Sequence, residues 1–371
     1  MKKRLFIGLL VGAMCVGLVG CGGDNDLGND AGSGSSESVS TEAESETEEA
    51  SSEESTEKKG LSAVDTSVLT EKLPDMVSAF PDREIKGVLQ ICHGMVEYID
   101  RYDEFAEFMS EHGYYVVGHD HLGHGKSIQT EADLGYFDER KGNQYVIGDI
   151  YQLQEMTRKK YPDVPYFMLG HSMGSFLLRQ YLTMYAGGLA GVVIMGTGHQ
   201  GMLTLCAGRM ICRIIAAFKG WKYRSTFVDS LSFGGFNKKF EPGETSKEWI
   251  TSDKKKRDEY VRDPLCSYTF TLGAYYQMFT GMKVLVRKRS MKRIPKTLPV
   301  LFTAGADDPV GAFGKNVIRV YEKYKDAGIK DVSIHLYEGD RHEILNEVDR
   351  QNVYQDILAW IEERNKTKAE S

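Results

Sequence analysis

The strongest constraint on the fold is a series of short apolar segments that alternate with longer amphipathic stretches. The apolar segments are continuous runs, which is typical of strands buried on both faces of a sheet. The amphipathic stretches have helical length, so the repeated unit predicts a mostly parallel sheet with helices on both sides. The predicted strands are 87–92, 114–118, 166–169, 191–195, 299–303 and 332–337, and the predicted helices lie near 102–112, 144–160, 173–185, 315–327 and 352–365.

One interval, about 197–296, interrupts this alternation. It contains no clear strand and is dense in Met and aromatic side chains, from Met202 to Phe279. We interpret it as a helical cap inserted into a sheet domain that spans residues 61–371, since a domain of this length suits one core with an insertion. The segment 61–83 has a poor signal and could supply one or two edge strands.

The first residues of the chain have the pattern of an export signal. A basic start, Lys2 to Arg4, precedes an apolar run of 15 residues at 5–19, which is shorter than the roughly 20 residues that span a bilayer. The run ends in Leu18-Val-Gly-Cys21, which resembles a bacterial lipobox. This resemblance implies that 1–20 is a lipoprotein signal peptide and that Cys21 is lipidated. The alternatives are an ordinary signal peptide with a chance Cys, or a retained anchor.

Acidic residues are concentrated just after this leader. Residues 22–59 contain 12 Asp and Glu against two Lys, whereas from Gly60 onward 41 acidic residues balance 41 basic ones. A polar, like-charged segment stays disordered and extended, so residues 21–60 are predicted to tether the domain to the cell membrane, outside the cytoplasm. The neutral remainder lacks the basic excess that a nucleic-acid partner would require.

Metal and disulfide sites are not expected. The run from His119 to His124 contains three His and Asp120, but it follows a buried strand in a Gly-rich loop, so we favour a structural loop over a metal site. Four Cys remain after the leader, without metal-ligand spacing, and we expect them to be buried free thiols. If Cys206 and Cys212 share a helix, they point in different directions and do not pair.

A candidate nucleophile stands where a predicted strand meets a predicted helix. The sequence Gly170-His-Ser172-Met-Gly174 is a G-x-S-x-G motif, whose glycines permit a tight turn that projects the Ser hydroxyl above the sheet. The alternative is a Gly-rich helix start in which the Ser has no catalytic role. The backbone N–H groups of Met173, directly after the Ser, and of Met95, in the loop after the first clear strand, are the candidate oxyanion hole.

An acid and a base are expected downstream of this Ser, in that order. The strand at 332–337 is followed by His342, the candidate general base. The strand at 299–303 is followed by Asp307 and Asp308, either of which could orient the imidazole. The sequence pattern does not decide which of these two acids pairs with His342.

Four motifs in this order resemble the monoacylglycerol lipase and lysophospholipase family of α/β-hydrolases, whose members are also grouped with serine aminopeptidase-like hydrolases. The motifs are His93-Gly-Met-Val-Glu-Tyr98, Gly118-His-Asp-His-Leu-Gly-His-Gly-Lys-Ser127, Gly170-His-Ser-Met-Gly174 and Glu338-Gly-Asp-Arg-His-Glu-Ile-Leu-Asn346.

The resemblance implies an α/β-hydrolase fold with a helical cap over an acyl pocket, and a triad of Ser172, an Asp and His342. The family's Gly-x-x-Asp pattern, matched at Gly305, selects Asp308. The implied reaction is hydrolysis of an acylglycerol or lysophospholipid ester through an acyl-enzyme, without a cofactor. A short-chain or xenobiotic esterase, an aminopeptidase, and a catalytically silent ligand-binding lipoprotein remain as alternatives.

Overall fold

The computed structural model describes residues 84–369, with side chains up to residue 366. Four predicted features lie outside the described residues and are not tested by the structure: the signal peptide, the lipidation site at Cys21, the tether and the edge strands in 61–83.

A six-stranded, fully parallel sheet forms the centre of the described domain. Its strand order is β2-β1-β3-β4-β5-β6, and every neighbouring pair is parallel. Each residue of the first five strands is buried, which explains why their sequences are apolar runs. The strands are β1 Gly87–Cys92, β2 Tyr114–Gly118, β3 Tyr166–His171, β4 Leu189–Met195, β5 Val300–Gly305 and β6 Val332–Tyr337. All six predicted strands are confirmed, with bounds that agree within two residues.

Helices cover both faces of this sheet. The ten described α-helices are α1 Asp103–Glu111, α2 Gly142–Lys160, α3 Met173–Tyr185, α4 Met202–Lys219, α5 Thr226–Phe233, α6 Lys254–Arg262, α7 Leu272–Val286, α8 Lys288–Met291, α9 Lys315–Asp326 and α10 Arg350–Ala369. One core joins the sheet to α2, α3 and α9, and a second core joins the opposite face to α1 and α10. The prediction of a mostly parallel sheet covered on both sides is therefore confirmed.

Five of these helices, α4 to α8, lie between β4 and β5, within the interval 197–296. Helix α4 packs against α7 through its Leu205, Cys212 and Ala216 side, while Leu203, Met210 and Phe218 on its other side are exposed. Within residues 84–369 no helix is both long enough and apolar enough to cross a membrane.

The four described cysteines are all free thiols. Cys92, Cys212 and Cys266 are buried, and burial raises the pKa of Cys92 and Cys212 to about 12. The expectation of burial was wrong for Cys206, which is exposed. Cys206 and Cys212 share α4, where six residues turn a helix by roughly 240°, so one of the two side chains faces solvent when the other faces the core.

Candidate active site

Ser172 occupies a strained turn between β3 and α3. Its backbone has φ 51° and ψ −117°, a conformation that costs energy in a residue with a side chain. The two flanking glycines are required by close packing. A Cβ on Gly170 would come within 2.6 Å of the carbonyl oxygen of Gly174, and a Cβ on Gly174 would collide with the carbonyl of Cys92. The motif is therefore the sequence that this turn demands.

Two backbone N–H groups beside Ser172 are free to bind an anion. Met173 is the first residue of α3, so its N–H has no partner within the helix. Met95 lies in the loop after β1, where its side chain is half-buried. Neither N–H donates a hydrogen bond to any other atom of residues 84–369. Donors of this kind, fixed at a helix start and in a tight loop, can stabilise a developing oxyanion.

His342 and Asp308 form a buried pair in the loops that follow β6 and β5. Nδ1 of His342 lies 3.0 Å from Oδ2 of Asp308, and the two side chains are 4% and 0% exposed. Neither of these two atoms makes a hydrogen bond to a described residue, so the 3.0 Å contact is a close ion pair whose alignment falls short of a hydrogen bond. The other carboxylate oxygen of Asp308 accepts the N–H of Val310 at 2.8 Å, which fixes the acid.

The neighbouring acid, Asp307, points elsewhere. Its carboxylate is about one-third exposed and pairs with Lys239 of the interval between β4 and β5. Asp308 is thus the acid that faces His342, whereas Asp307 faces the surface. This geometry separates two residues that the sequence physics alone left equivalent.

The ring of His342 is held between two other rings. The ring centroid of His171 is 4.8 Å away and that of Trp249 is 5.2 Å away. The backbone N–H of His342 donates to the carbonyl oxygen of Trp249 at 3.3 Å. The segment around Trp249 therefore contacts both the ring and the backbone of His342. Because parallel strands end at one edge of a sheet, the loops after β1, β3, β5 and β6 bring Met95, Ser172, Asp308 and His342 to the same edge.

A buried carboxylate, Glu97, connects these loops, and we did not predict it. Its Oε1 accepts the N–H of Gly94 and lies 3.0 Å from Nδ1 of His171. Nε2 of His171 in turn lies 3.3 Å from the carbonyl oxygen of His342. Since both ring nitrogens of His171 face acceptors, the imidazolium form satisfies the site best. Glu97 and His171 therefore connect the loop after β1, the Ser172 turn and the His342 loop.

The electrostatics of Glu97 and His171 support this pairing. Burial alone would raise the pKa of Glu97, but the hydrogen bond and charge of His171 and the charge of Arg101 bring that pKa well below its ordinary value. Burial would lower the pKa of His171, but the hydrogen bond and charge of Glu97 outweigh burial and raise that pKa. Each group therefore stabilises the charged form of the other.

Arg101 extends this network toward the His342 loop. Its Nη1 lies 2.9 Å from Oε2 of Glu97, and its two terminal nitrogens bond both carboxylate oxygens of Glu343 at 2.7 Å. Tyr102 adds a hydroxyl donor to Glu97 at 3.0 Å. The contacts of Glu97 with Gly94, Arg101 and Tyr102 lie within five residues of it in the sequence. Its contact with His171 and the contact of Arg101 with Glu343 are remote in the chain.

The histidine-rich run forms a buried structural loop. His121 donates its backbone N–H to Nε2 of His93 at 2.9 Å, and Nδ1 of His93 donates to the carbonyl oxygen of Gly94 at 2.8 Å. Asp120 accepts two backbone N–H groups at 2.8 and 2.6 Å. Burial lowers the pKa of His119 and of His124 to about 3, so both are neutral near pH 7. Among residues 84–369 there is no group of three or more His, Cys, Asp or Glu that could hold a metal ion.

A narrow apolar pocket lies beside the Ser172 turn. Apart from Asn143 and Gln180, its lining is entirely apolar and comes from α2, α3, α7 and the loop before α2: Phe137, Val146, Met173, Phe176, Leu177, Met278 and Met282. Such a lining suits an alkyl chain.

Comparison with known proteins supports a family assignment. The sequence model of the family described as "Serine aminopeptidase, S33" matches residues 83–349. The chain belongs to this family.

The relatives of this S33 protein include monoglyceride lipases. The mouse monoglyceride lipase is 25% identical over 293 residues, which cover 76% of this chain and 85% of the mouse protein. The monoacylglycerol lipase of Mycolicibacterium smegmatis is 24% identical over 287 residues, covering 76% and 90% of the two chains.

A solved structure, the thermostable carboxyl esterase from Bacillus coagulans in complex with glycerol, has a TM-score of 0.72 and 28% identity, with 77% of this chain and 92% of the esterase covered. A soluble variant of the Saccharomyces cerevisiae monoglyceride lipase shares the fold at a TM-score of 0.61 and 22% identity, covering 76% of this chain and 88% of the lipase. This S33 protein is therefore an α/β-hydrolase of the monoglyceride lipase type and a carboxylic ester hydrolase.

Proposed function

We propose that Ser172, Asp308 and His342 form the catalytic triad of a hydrolase that cleaves acylglycerol or lysophospholipid esters. The observation that carries this proposal is the buried 3.0 Å pair between His342 and Asp308, at the same sheet edge as the strained Ser172 turn. The three residues follow β3, β5 and β6 in the chain order expected of this fold.

The first half of the reaction is acylation. His342 takes the proton of the Ser172 hydroxyl while the oxygen attacks the ester carbonyl, and the carbonyl oxygen becomes an oxyanion between the N–H groups of Met95 and Met173. Asp308 stabilises the imidazolium that forms. When the tetrahedral intermediate collapses, His342 gives its proton to the leaving alcohol, and an acyl-enzyme remains.

The second half is deacylation. A water molecule loses its proton to His342 and attacks the acyl carbonyl, again with the oxyanion held by the two N–H groups. Collapse of this intermediate returns the proton to Ser172 and releases the carboxylic acid. Every step uses groups of this chain and water alone.

The substrate class is supported by the pocket and by the relatives. The apolar lining from Phe137 to Met282 beside Met173 suits an acyl chain, and the relatives carry the names of monoglyceride lipases. The predicted lipid anchor at Cys21 would hold the enzyme at the cell membrane, outside the cytoplasm, where acylglycerols and lysophospholipids are found. Lysophospholipids and monoacylglycerols share the single acyl ester that this site would cleave.

Labelling with a fluorophosphonate probe tests the nucleophile. We expect the wild type to be labelled and Ser172→Ala to be unlabelled. Ser232→Ala removes a hydroxyl that donates to the carbonyl oxygen of Val228, one turn earlier on α5, and this control should label like the wild type. A wild type that is not labelled, although it is folded, would leave the catalytically silent ligand-binding protein as the better interpretation.

An acyl-chain series separates the enzyme alternatives. p-Nitrophenyl esters from C2 to C16 and an aminoacyl anilide would be compared by kcat/KM. We expect the longer acyl chains to be preferred, because the pocket beside Met173 is apolar. A preference for C2 would favour the short-chain esterase, and a preference for the anilide would favour the aminopeptidase.

The proposed anchor has a separate test. Mass spectrometry of the N-terminal peptide of membrane-purified protein should show a chain that begins at Cys21 and carries a diacylglycerol. Cys21→Ser should move the protein from the membrane fraction to the soluble fraction or leave the leader uncleaved. An unmodified Cys21 in the wild type would contradict the anchor and leave the triad proposal unaffected.

A further inference from the structure

Four basic side chains lie near one another outside the triad, one of them a histidine that is neutral near pH 7, and none has an acidic partner among the described residues. This group, which we name the cationic cluster, consists of Arg179 of α3, His199 after β4, and Arg319 and Lys323 of α9. The charge of Lys288, on α8, also acts on Lys323. Nζ of Lys323 is 3.1 Å from Nε2 and 3.5 Å from Nδ1 of His199. Within the described residues no carboxylate forms an ion pair with any of these side chains.

Arg179 is the buried base of the cluster. It is 3% exposed, and its Nη1 donates to two neutral oxygens, Oγ1 of Thr197 at 3.1 Å and the carbonyl oxygen of Gly198 at 3.0 Å. Its Nε has no hydrogen-bond partner among the described residues. A buried guanidinium without a counter-charge is costly, and an anion bound beside it would offset that cost.

The members of the cluster repel one another. Burial lowers the pKa of His199, and the charges of Lys323, Arg319 and Arg179 lower it further, to about 4. Burial also lowers the pKa of Lys323, with further lowering by Arg319, Arg179 and Lys288. A bound anion would reverse these shifts, because it favours the charged form of every neighbouring base.

We propose that the cationic cluster binds a phosphate group. The donors come from α3, α9 and the segment after β4, and two contacts bring them together: Lys323 contacts His199, and Arg179 bonds the carbonyl oxygen of Gly198, the residue before His199. A tetrahedral phosphate offers three or four acceptor oxygens to such donors, whereas a planar carboxylate offers two. Arg and Lys are also the side chains that bind phosphate most readily in proteins.

The position of the cluster connects it to the substrate site. A Cβ on Gly198 would lie 3.6 Å from the ring of Phe176, which lines the apolar pocket, and 2.6 Å from the carbonyl oxygen of Val310, in the loop that carries Asp308. The phosphate could therefore belong to the head group of a lysophospholipid, which rests on the proposed function, or it could be free inorganic phosphate. Both sources present the same chemistry to the cluster.

Calorimetric titration of the full chain with inorganic phosphate at pH 7 and low ionic strength tests the site itself. We expect saturable binding by the wild type. Lys323→Gln and His199→Gln should each weaken it about tenfold, since each removes one charge-assisted hydrogen bond. Lys325→Gln makes the same charge change on the same helix, next to Tyr321, and should bind within about twofold of the wild type. Thermal unfolding checks that each variant is folded.

A kinetic comparison identifies the source of the phosphate. The ratio of kcat/KM for a 1-acylglycerol phosphate to that for the monoacylglycerol with the same acyl chain would be measured in wild type and Lys323→Gln. A fall of about tenfold in this ratio identifies the lipid head group as the ligand. An unchanged ratio together with weakened phosphate binding identifies free phosphate.

The result that overturns the proposal is wild-type protein that binds no phosphate, or binding that Lys323→Gln and His199→Gln leave unchanged. This outcome is distinct from failure of the proposed function, which shows in the fluorophosphonate labelling of Ser172. Calorimetry requires no turnover, so it tests the phosphate site independently of the catalytic activity.

Discussion

Replacing Glu97 by Gln should lower both the stability of the protein and its turnover. The substitution keeps the shape of the side chain but removes its charge from a site that is 4% exposed. The carboxylate lies 2.9 Å from Arg101 and 3.0 Å from His171. A Gln amide has only one oxygen, so its NH2 group would have to face either Arg101 or His171, both of which are donors.

The size of the effect follows from these contacts. Removing one partner of a buried ion pair costs about 3–5 kcal/mol. Arg101 keeps its two bonds to Glu343 at 2.7 Å, so we expect the lower end, about 3 kcal/mol. With a urea m-value of about 3 kcal/mol/M, the midpoint should fall by about 1 M. Because Glu97 also holds the N–H of Gly94, the adjacent N–H of Met95 should shift, and kcat should fall about 10- to 100-fold.

The assay pairs urea unfolding, followed by tryptophan fluorescence, with kcat on a p-nitrophenyl ester. Glu107→Gln is the matched control, since Glu107 is an exposed acid on α1, and it should leave both quantities near their wild-type values. A Glu97→Gln protein with kcat within twofold of wild type and an unchanged midpoint would refute the idea that Glu97 positions the oxyanion loop.

Three further outcomes follow from the site. Asp308→Asn should lower kcat by about 10³- to 10⁴-fold, whereas Asp307→Asn should stay within about threefold, because Asp307 faces Lys239 at the surface; steady-state kinetics of the two variants checks this. Gly174→Ala should abolish activity and reduce the yield of folded protein, measured by circular dichroism and labelling, because its Cβ would collide with a backbone carbonyl of β1. The pair of Glu97 and His171 should contribute most stability between about pH 4.5 and 6.5. Because the pKa of Glu97 is lowered on folding, its contribution to stability is complete above pH 4.5 and is lost as the pH falls. Because the pKa of His171 is raised, its contribution is complete below pH 6.5 and is lost as the pH rises. The urea midpoints of wild type and Glu97→Gln should therefore differ most inside this window.

The strands were predictable because of where they lie. A strand buried on both faces of a sheet is mostly apolar, so each of the first five strands is visible as a nearly continuous run, whereas the partly exposed β6 includes the polar Ser333 and His335. The Ser172 turn was predictable for a related reason. Glycine is the only amino acid without a Cβ, and both glycines that flank Ser172 are packed against backbone atoms.

The polar network behind Ser172 and His342 was not predictable in this way. Glu97 and His171 are 74 residues apart in the sequence, and Arg101 and Glu343 are 242 apart. No local pattern marks such pairs, because any acid and any base look alike until the chain brings them together. The exposure of Cys206 was missed for the same reason, since it depends on which side of α4 meets α7.

The sequence alone determined the parallel sheet, the interval inserted between its fourth and fifth strands, and the turn that carries Ser172. These features depend on local periodicity and on steric limits that act within a few residues. The family resemblance selected Asp308, but only the tertiary structure showed that Asp308 rather than Asp307 faces His342, that Glu97 joins three loops, and that Arg179 and Lys323 both lie near His199. Hydrogen bonds and charges act over a few ångströms, so their partners are fixed by the folded arrangement and not by distance along the chain.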